Sequence, residues 1–129
     1  MGARIKWIHD LAAEAARPWA LRTGATFTES LKPIIDDAEV DVVHVLTASP
    51  AHAALCRQLI PAKRAVICEK TLTTTADDSL ELVSLARKHG TLFYTGYMKR
   101  FIPAVQKAKE LVPTIGTIVS VHARVHQVW

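Results

Sequence analysis

The sequence contains few cysteines and no apolar run long enough to cross a membrane. Cys56 and Cys68 are the only two cysteines among 129 residues, and no second pair accompanies them to suggest a metal site. We therefore expect two reduced thiols in the core and no bound metal. A spanning helix needs about 20 consecutive apolar residues, and the segment MGARIKWIHD lacks the layout of a signal peptide. We expect a cytoplasmic protein with no membrane partner.

Charge of either sign is modest as well. The 16 basic and 12 acidic residues leave a net charge of +4, and no single basic stripe with interleaved aromatic residues is present, so we expect no nucleic-acid partner. The basic residues instead form separate pairs such as Lys63-Arg64, Arg87-Lys88 and Lys99-Arg100. Apolar residues make up 50% of the chain, which is ordinary for a globular protein and argues against disorder.

Segments with strand and helix character alternate along the chain. The valine-rich run VDVVHVL at 40–46 predicts a strand, and a capping-box pattern from Thr75 with Gly90 at the other end predicts a helix between them. The predicted strands cover 5–8, 26–28, 40–46, 66–68, 91–97 and 117–128, and the predicted helices follow Asp10, Ser30, Ser49, Thr75 and Ile102. This alternation predicts an α/β fold with a parallel sheet.

The last predicted strand has a different pattern from the others. Between 117 and 128, apolar residues alternate with polar ones, which is typical of a strand with one buried and one wet face. The apolar positions are Val119, Val121, Ala123 and Val125. Pairing with a second copy would satisfy both the strand edge and the apolar strip, so we expect a homo-oligomer formed through residues 117–128. The alternative is that this segment folds back onto its own domain or stays disordered.

Several residues with useful chemistry follow directly after predicted strands. They are Asp10, Thr47-Ala48-Ser49, Glu69-Lys70 and Gly96-Tyr97. In open parallel sheets, ligands bind just outside the carboxyl ends of the strands, because loop amides and helix N-termini converge there. These strand tips are therefore the candidate site positions.

Taken together, the strand tips resemble those of a known family. An acidic strand tip, a Thr-x-x-x-x-His loop from Thr47 to His52, VICEK, GYMKRF and GTIVSVHAR follow one another in this order. The pattern resembles the nucleotide-binding half of the glucose-fructose oxidoreductase, inositol dehydrogenase and rhizopine-catabolism oxidoreductase family, over residues 4–124. The resemblance implies an incomplete Rossmann-like parallel sheet with helices on both faces in residues 1–116. It also implies that residues 117–129 are the first strand of a truncated α+β domain for substrate binding and oligomerisation.

The resemblance also implies roles for individual residues. Lys70 would lie beside the nicotinamide and hydrogen-bond the substrate, so the charges after the VIC strand would face a cofactor cleft. The family's Glu-Lys-Pro is Glu-Lys-Thr here, with Thr71 in place of the proline. Asp10 would accept hydrogen bonds from the adenosine ribose, and Leu11, where NADP-preferring relatives often carry arginine, favours NAD over NADP. The other implied cofactor-binding residues are Thr47, Ala48, Ser49, His52, Glu69 and Gly96, and the implied substrate-side residues are Tyr97 and Arg100.

Three of these positions also have a purely structural interpretation. Glu69-Lys70 can be an exposed charged pair that contributes very little to stability. Asp10 can cap the helix that follows it. His52 can be a partly buried polar residue with no ligand.

One signature of dinucleotide-binding domains is missing. The fingerprint G-x-G-x-x-G follows the first strand and opens the first helix of such domains, but the five glycines of this chain do not have that spacing. We therefore expect a partial dinucleotide-binding domain that lacks the first βα unit. By resemblance, the parent chemistry is hydride transfer between NAD (or NADP) and a polyol, sugar or related hydroxy compound, and we expect this chain alone to be weakly active or inactive. The alternative function is a non-catalytic α/β interaction module that has lost cofactor binding.

Overall fold

A computed structural model of the chain describes residues 2–124 and 126. The chain divides into two compact units, Met1–Gly96 and Tyr97–Trp129. No helix in the described part of the chain is long and apolar enough to cross a membrane.

The first unit alternates strands and helices, as the sequence predicts. Its strands are β1 (Trp7–His9), β2 (Thr26–Thr28), β3 (Val42–Val45), β4 (Ala65–Cys68) and β5 (Phe93–Thr95). Its helices are α1 (Ala13–Thr23), α2 (Lys32–Asp36), α3 (Ser49–Leu59) and α4 (Ala76–His89), and a 3-10 turn at Ile60–Ala62 follows α3. Each strand predicted for this unit overlaps an observed strand, so the α/β class is confirmed.

All strand pairs in the described residues are parallel. β1 pairs with β2, with Ile8 opposite Phe27, and β4 lies between β3 and β5, with Ile67 opposite His44 on one side and Tyr94 on the other. The classic doubly wound sheet has the strand order 3-2-1-4-5-6. The pairings in the described residues, β2-β1 and β3-β4-β5, correspond to the neighbours 3-2 and 4-5-6 in that order. This arrangement confirms the prediction of an incomplete Rossmann-like parallel sheet.

The core of this unit lies between the three-stranded sheet and the helices α3 and α4. Leu59 and Leu82 are 1% and 0% exposed, and burial of one such side chain contributes about 1.5–3 kcal/mol. The buried cluster consists of Val45, Cys56, Leu59, Ile60, Val66, Cys68, Leu82 and Ala86. Leu31 and Ile35 also pack against this cluster, so the segment around α2 shares the core of the three-stranded sheet.

The strand β4 is buried more deeply on one face than on the other. Val66 and Cys68 are fully buried, whereas Ile67 is only half-buried. A short continuous apolar run such as Val66-Ile67-Cys68 is typical of a strand buried on both faces, but in this structure only one face of β4 is fully buried. Because α3 and α4 both pack on the face that carries Val66 and Cys68, the opposite face is less completely covered.

Helix ends show both a confirmed and a wrong prediction. At the start of α4, the N–H of Asp78 donates to Thr75 Oγ1 at 3.1 Å, and Thr75 Oγ1–H donates to Asp78 Oδ2 at 2.7 Å. Gly90 ends this helix with a φ of 65°, a conformation that favours glycine. The prediction that Ser49 caps α3 is wrong by one residue. The helix already begins at Ser49, and the extended residue before it is Ala48.

Ion pairing ties β1 to the loop that follows α2. Lys6 Nζ lies 2.5 Å from Asp37 Oδ2 and 2.7 Å from Glu39 Oε2, and Trp7 Nε1–H donates to Asp37 Oδ2 at 2.7 Å. The hydrogen bonds from Lys6 and Trp7 lower the pKa of Asp37 from 3.8 to about 2. A carboxylate whose pKa falls on folding stabilises the folded state above its unfolded pKa, and that stabilisation is lost as the pH falls through the folded value.

In its described residues, the second unit has one helix between two short turns. A 3-10 turn at Met98–Phe101 precedes α5 (Pro103–Leu111), and a further 3-10 turn occupies Val112–Thr114. The predicted strand at 117–128 is not formed in residues 117–124 and 126, and the rest of that segment lies outside the described residues. A strand requires a hydrogen-bonded neighbour, and the described residues of this unit include no other strand. The alternating pattern of side chains alone does not create that neighbour.

Candidate functional site

The carboxyl ends of β3, β4 and β5 lie side by side. The register places Cys68 between Val45 and Thr95. Just beyond, the N–H of Glu69 donates to Val45 O at 2.9 Å, and the N–H of Gly96 donates to Cys68 O at 2.8 Å. The structure therefore brings Glu69-Lys70 to one edge with the strand tips on either side.

Glu69 and Gly96 approach each other closely at this edge. A Cβ atom added to Gly96 would lie 3.3 Å from Glu69 Oε1, which is tighter than an ordinary contact, so the glycine leaves room for the carboxylate. Glu69 Oε2 in turn accepts a hydrogen bond from the N–H of Lys70 at 2.8 Å. The carboxylate thus turns back onto the backbone of the next residue, and Lys70 is exposed. The peptide bond between Lys70 and Thr71 is cis.

The loop between β3 and α3 forms the neighbouring part of the edge. Thr47 and Ala48 are exposed, and α3 begins at Ser49 with Pro50 in its first turn. The N-terminus of an α-helix carries unpaired N–H groups and a partial positive charge, which favour negatively charged ligand groups. The predicted cofactor-binding residues of this loop therefore lie where a helix N-terminus meets a strand tip.

His52 is fully buried beneath these loops. Its ring nitrogens contact three backbone oxygens. Nδ1 lies 2.9 Å from Thr71 O and 3.1 Å from Leu72 O, and Nε2 lies 2.9 Å from Thr47 O. Burial lowers the pKa of His52, but the hydrogen bonds to Thr47 and Thr71 raise it, and the net direction is upward from 6.5. The contacts with Thr71 and Leu72 could not be found from the sequence, because backbone carbonyls carry no residue-specific signal.

The remaining predicted residues lie at other ends of the fold. Asp10 follows β1, and its Oδ1 accepts a hydrogen bond from the N–H of Ala12 at 2.8 Å, so part of its carboxylate already supports the entry into α1. In the second unit, the N–H of Arg100 donates to Tyr97 O at 3.1 Å within the turn before α5. Asp10 is thus exposed at the tip of the two-stranded sheet, and Tyr97 and Arg100 share one turn.

Neither a metal cluster nor a disulfide occurs in the described part of the chain. No group of three or more His, Cys, Asp and Glu residues in 2–124 and 126 could hold a metal ion. Cys56 and Cys68 are free and fully buried. A hydrogen bond with Cys68 and burial both raise the pKa of Cys56 above its ordinary range, so this thiol stays protonated in the core.

Comparison with known proteins identifies the family. Residues 2–97 match the oxidoreductase family with an NAD-binding Rossmann fold. The chain is 37% identical over 105 residues to inositol 2-dehydrogenase from Acidothermus cellulolyticus. The aligned stretch covers 80% of this chain and 31% of that protein.

Solved structures give the same result for the fold. Levoglucosan dehydrogenase in complex with NADH and levoglucosan aligns with a TM-score of 0.75 and 28% identity over 86% of this chain and 30% of its own. GenD2 from gentamicin A biosynthesis, in complex with NAD, aligns with a TM-score of 0.78 and 27% identity over 92% of this chain and 34% of its own. The chain spans about a third of the length of these proteins. With parallel strands in the doubly wound order and a family match over residues 2–97, the chain belongs to the oxidoreductase family with an NAD-binding Rossmann fold.

Proposed function

We propose that this chain forms part of an NAD-dependent dehydrogenase that acts on a polyol, sugar or related hydroxy compound. The observation that carries this proposal is the position of Glu69-Lys70 at the tip of the central strand β4, at the carboxyl edge where such sheets bind ligands. Two similar proteins, inositol 2-dehydrogenase and levoglucosan dehydrogenase, are named for substrates of this class. NAD⁺, when bound, would supply the hydride acceptor for oxidation of the alcohol, and the hydroxyl proton would pass to a base of the protein.

Lys70 is the proposed catalytic residue. Its ammonium group can donate a hydrogen bond to the substrate oxygen, and its neutral amine can accept the hydroxyl proton during oxidation. Steady-state turnover across a panel of polyols and sugars, with NAD and NADP, tests this role. Lys70→Ala should abolish any turnover, whereas Lys88→Ala, which changes an exposed lysine in the last turn of α4, should leave it unchanged. Turnover that survives Lys70→Ala contradicts the assignment.

The proposed cofactor contacts include strand tips of both sheets. Asp10 would accept hydrogen bonds from the ribose hydroxyls of the adenosine, and Leu11, which follows it, offers no positive charge for the phosphate of NADP, so NAD is the proposed cofactor. Thr47, Ala48 and Ser49 would contact it through backbone amides. The other proposed site residues are His52, Glu69 and Gly96 beside the cofactor and Tyr97 and Arg100 on the substrate side.

Cofactor affinity of the chain by itself should be low. No glycine spacing in the sequence supplies the G-x-G-x-x-G turn that brings backbone amides to the pyrophosphate. We expect millimolar binding of NADH or none by calorimetry or fluorescence titration. Asp10→Asn is the sharper variant for the ribose contact, because the amide oxygen can still accept from the N–H of Ala12 while the charge is removed. A resolvable affinity that Asp10→Asn and Asp10→Ala both leave unchanged would refute the ribose contact.

The open strand edges favour a second candidate function, a non-catalytic interaction module. Lys6 and Asp10, which flank β1, bond through their backbone groups to β2. Asp41, just before β3, and Val45, at its end, bond through their carbonyl oxygens to the β4 segment. Since alternate residues of a strand direct their backbone groups to opposite edges, the intervening residues face edges that no described strand occupies. Those residues are Trp7, His9, Val42 and His44. Such edges are templates for pairing with a strand from another chain.

Hydrogen exchange separates this second candidate from the first. Under the interaction-module hypothesis, the amides of Val42 and His44 become protected when a partner chain binds, and no substrate is turned over. Val43 and Val45 face β4, so their amides serve as internal controls that stay protected throughout. Turnover that Lys70→Ala abolishes excludes the interaction module as the whole function.

We further propose a homo-oligomer formed through residues 117–128. Val119 is 93% exposed and Val121 is 78% exposed, and both belong to the apolar set of the alternating pattern. Pairing of two copies along this segment would cover these side chains and satisfy the strand backbone. Light scattering of the intact chain and of a version that ends at Gly116 tests the interface. A monomer at micromolar concentration, or an unchanged oligomeric state after truncation, rules it out.

A further inference from the structure

His52 joins two loops that come from different strand tips. The residue lies in the first turns of α3, and its ring is fully buried. One ring nitrogen contacts the oxygen of Thr47, in the loop after β3, while the other contacts the oxygens of Thr71 and Leu72, in the loop after β4. The distances are 2.9–3.1 Å, so each contact has the length of a hydrogen bond. The imidazole is therefore a bridge between the two loops.

The chemistry of the three partners decides the protonation state of the ring. A carbonyl oxygen only accepts hydrogen bonds, and a neutral imidazole has one N–H donor and one nitrogen that only accepts. In either neutral form, one ring nitrogen would direct its lone pair at a carbonyl oxygen 2.9 Å away. A buried polar group without a hydrogen-bond partner destabilises the fold. Only the imidazolium, with two N–H donors, satisfies every contact.

The surroundings of the ring also bear on its charge. Burial opposes a positive charge, and the three carbonyl dipoles favour it. The titratable group that acts on His52 is the thiol of Cys68 on β4, and Cys68 is itself influenced by the thiol of Cys56 on α3 and by the charge of Glu69 at the strand tip. A negative charge on Cys68 would raise the pKa of His52, so a pH experiment must separate the imidazole from this thiol.

We infer that His52 is a positioning residue that, as an imidazolium, holds the Thr47 loop against the Thr71–Leu72 loop and thereby fixes the backbone beside Lys70. The consequence for catalysis rests on the proposed function, because it assumes that Lys70 acts on the substrate. The protonation state of the ring and the coupling between the loops do not rest on it. A test without cofactor or substrate can therefore fail or succeed independently of the proposed dehydrogenase activity.

The test is a pH titration of the full chain by NMR, with detection of the ring nitrogens of His52 and the amides of both loops. At pH 7 we expect both ring nitrogens to carry protons. As the pH rises, the amides after Thr47 and after Lys70 should shift with the same midpoint as the ring. Cys68→Ala removes the neighbouring thiol and leaves the carbonyls, so the shared midpoint should persist in this variant. A neutral ring at pH 7, or loop amides that do not follow the ring, overturns the inference.

Substitution of the ring gives a second measurement. In His52→Asn, the two N–H donors of the side chain share one nitrogen, so they cannot reach both loops as the two ring nitrogens do. We therefore expect hydrogen exchange of the backbone amides in the two loops to become at least about tenfold faster. The control is His89→Asn, which changes a histidine in the last turn of α4 and should leave exchange in both loops unchanged. Unchanged exchange in His52→Asn contradicts the bridge. If His52→Asn does not fold, the titration of the unsubstituted chain decides.

Discussion

Replacement of Leu82 by alanine tests whether the core beneath the candidate site has the packing described above. Leu82 lies on α4, is 0% exposed, and belongs to the same buried cluster as Val66 and Cys68 of β4. The substitution removes three carbon atoms, each contributing about 0.8 kcal/mol of transfer free energy, so about 2.4 kcal/mol is lost before any cavity is considered. The cavity raises the expected loss to about 3–4 kcal/mol. Folded proteins are typically stable by about 5–15 kcal/mol, so this loss would be a large fraction of the free energy of unfolding.

Urea denaturation followed by circular dichroism measures this loss. Leu80→Ala is the matched control, because Leu80 lies on the same helix but is 67% exposed. We expect the control to change the free energy of unfolding by less than about 0.5 kcal/mol. A loss below about 1 kcal/mol for Leu82→Ala, or equal losses for both variants, would refute the packing of α4 on β4 and with it the support of the Glu69-Lys70 tip.

Three further predictions concern charge, close approach and capping. Asp37→Asn should lower the free energy of unfolding at neutral pH, and the difference from the unsubstituted chain should shrink as the pH falls from 3.8 to about 2. Denaturation at each pH measures this difference, and a difference that stays constant contradicts the ion pairing. Gly96→Ala should displace the Glu69 carboxylate, which an added Cβ would approach to 3.3 Å, and the amide signal of Lys70 should shift; an unchanged signal contradicts the contact. Thr75→Ala should lower the free energy of unfolding by about 1 kcal/mol, whereas Thr75→Ser, which keeps the capping hydroxyl, should lower it by much less. Equal losses in the two variants contradict the cap.

The sequence by itself determined the local structure and the family. Valine-rich runs and the capping pattern at Thr75 act over a few residues, so the alternation of strands and helices and the αL glycine at Gly90 could be predicted. The order of residues at the strand tips was sufficient to identify the family, since residues 2–97 match it. The parallel α/β class also follows from the sequence, because strands and helices alternate along the chain.

Only the tertiary structure decided which groups meet. His52 contacts carbonyls 19 and 20 residues away. Because every residue has a backbone carbonyl, the sequence does not mark which ones a side chain will contact. The approach of Gly96 to Glu69 depends on the pairing of β4 with β5, and the uneven burial of β4 depends on α3 and α4 packing on one face. The alternating pattern after Gly116 predicted a strand that residues 117–124 do not form. Side-chain periodicity reports where a strand could lie, whereas a strand forms only when another backbone completes its hydrogen bonds.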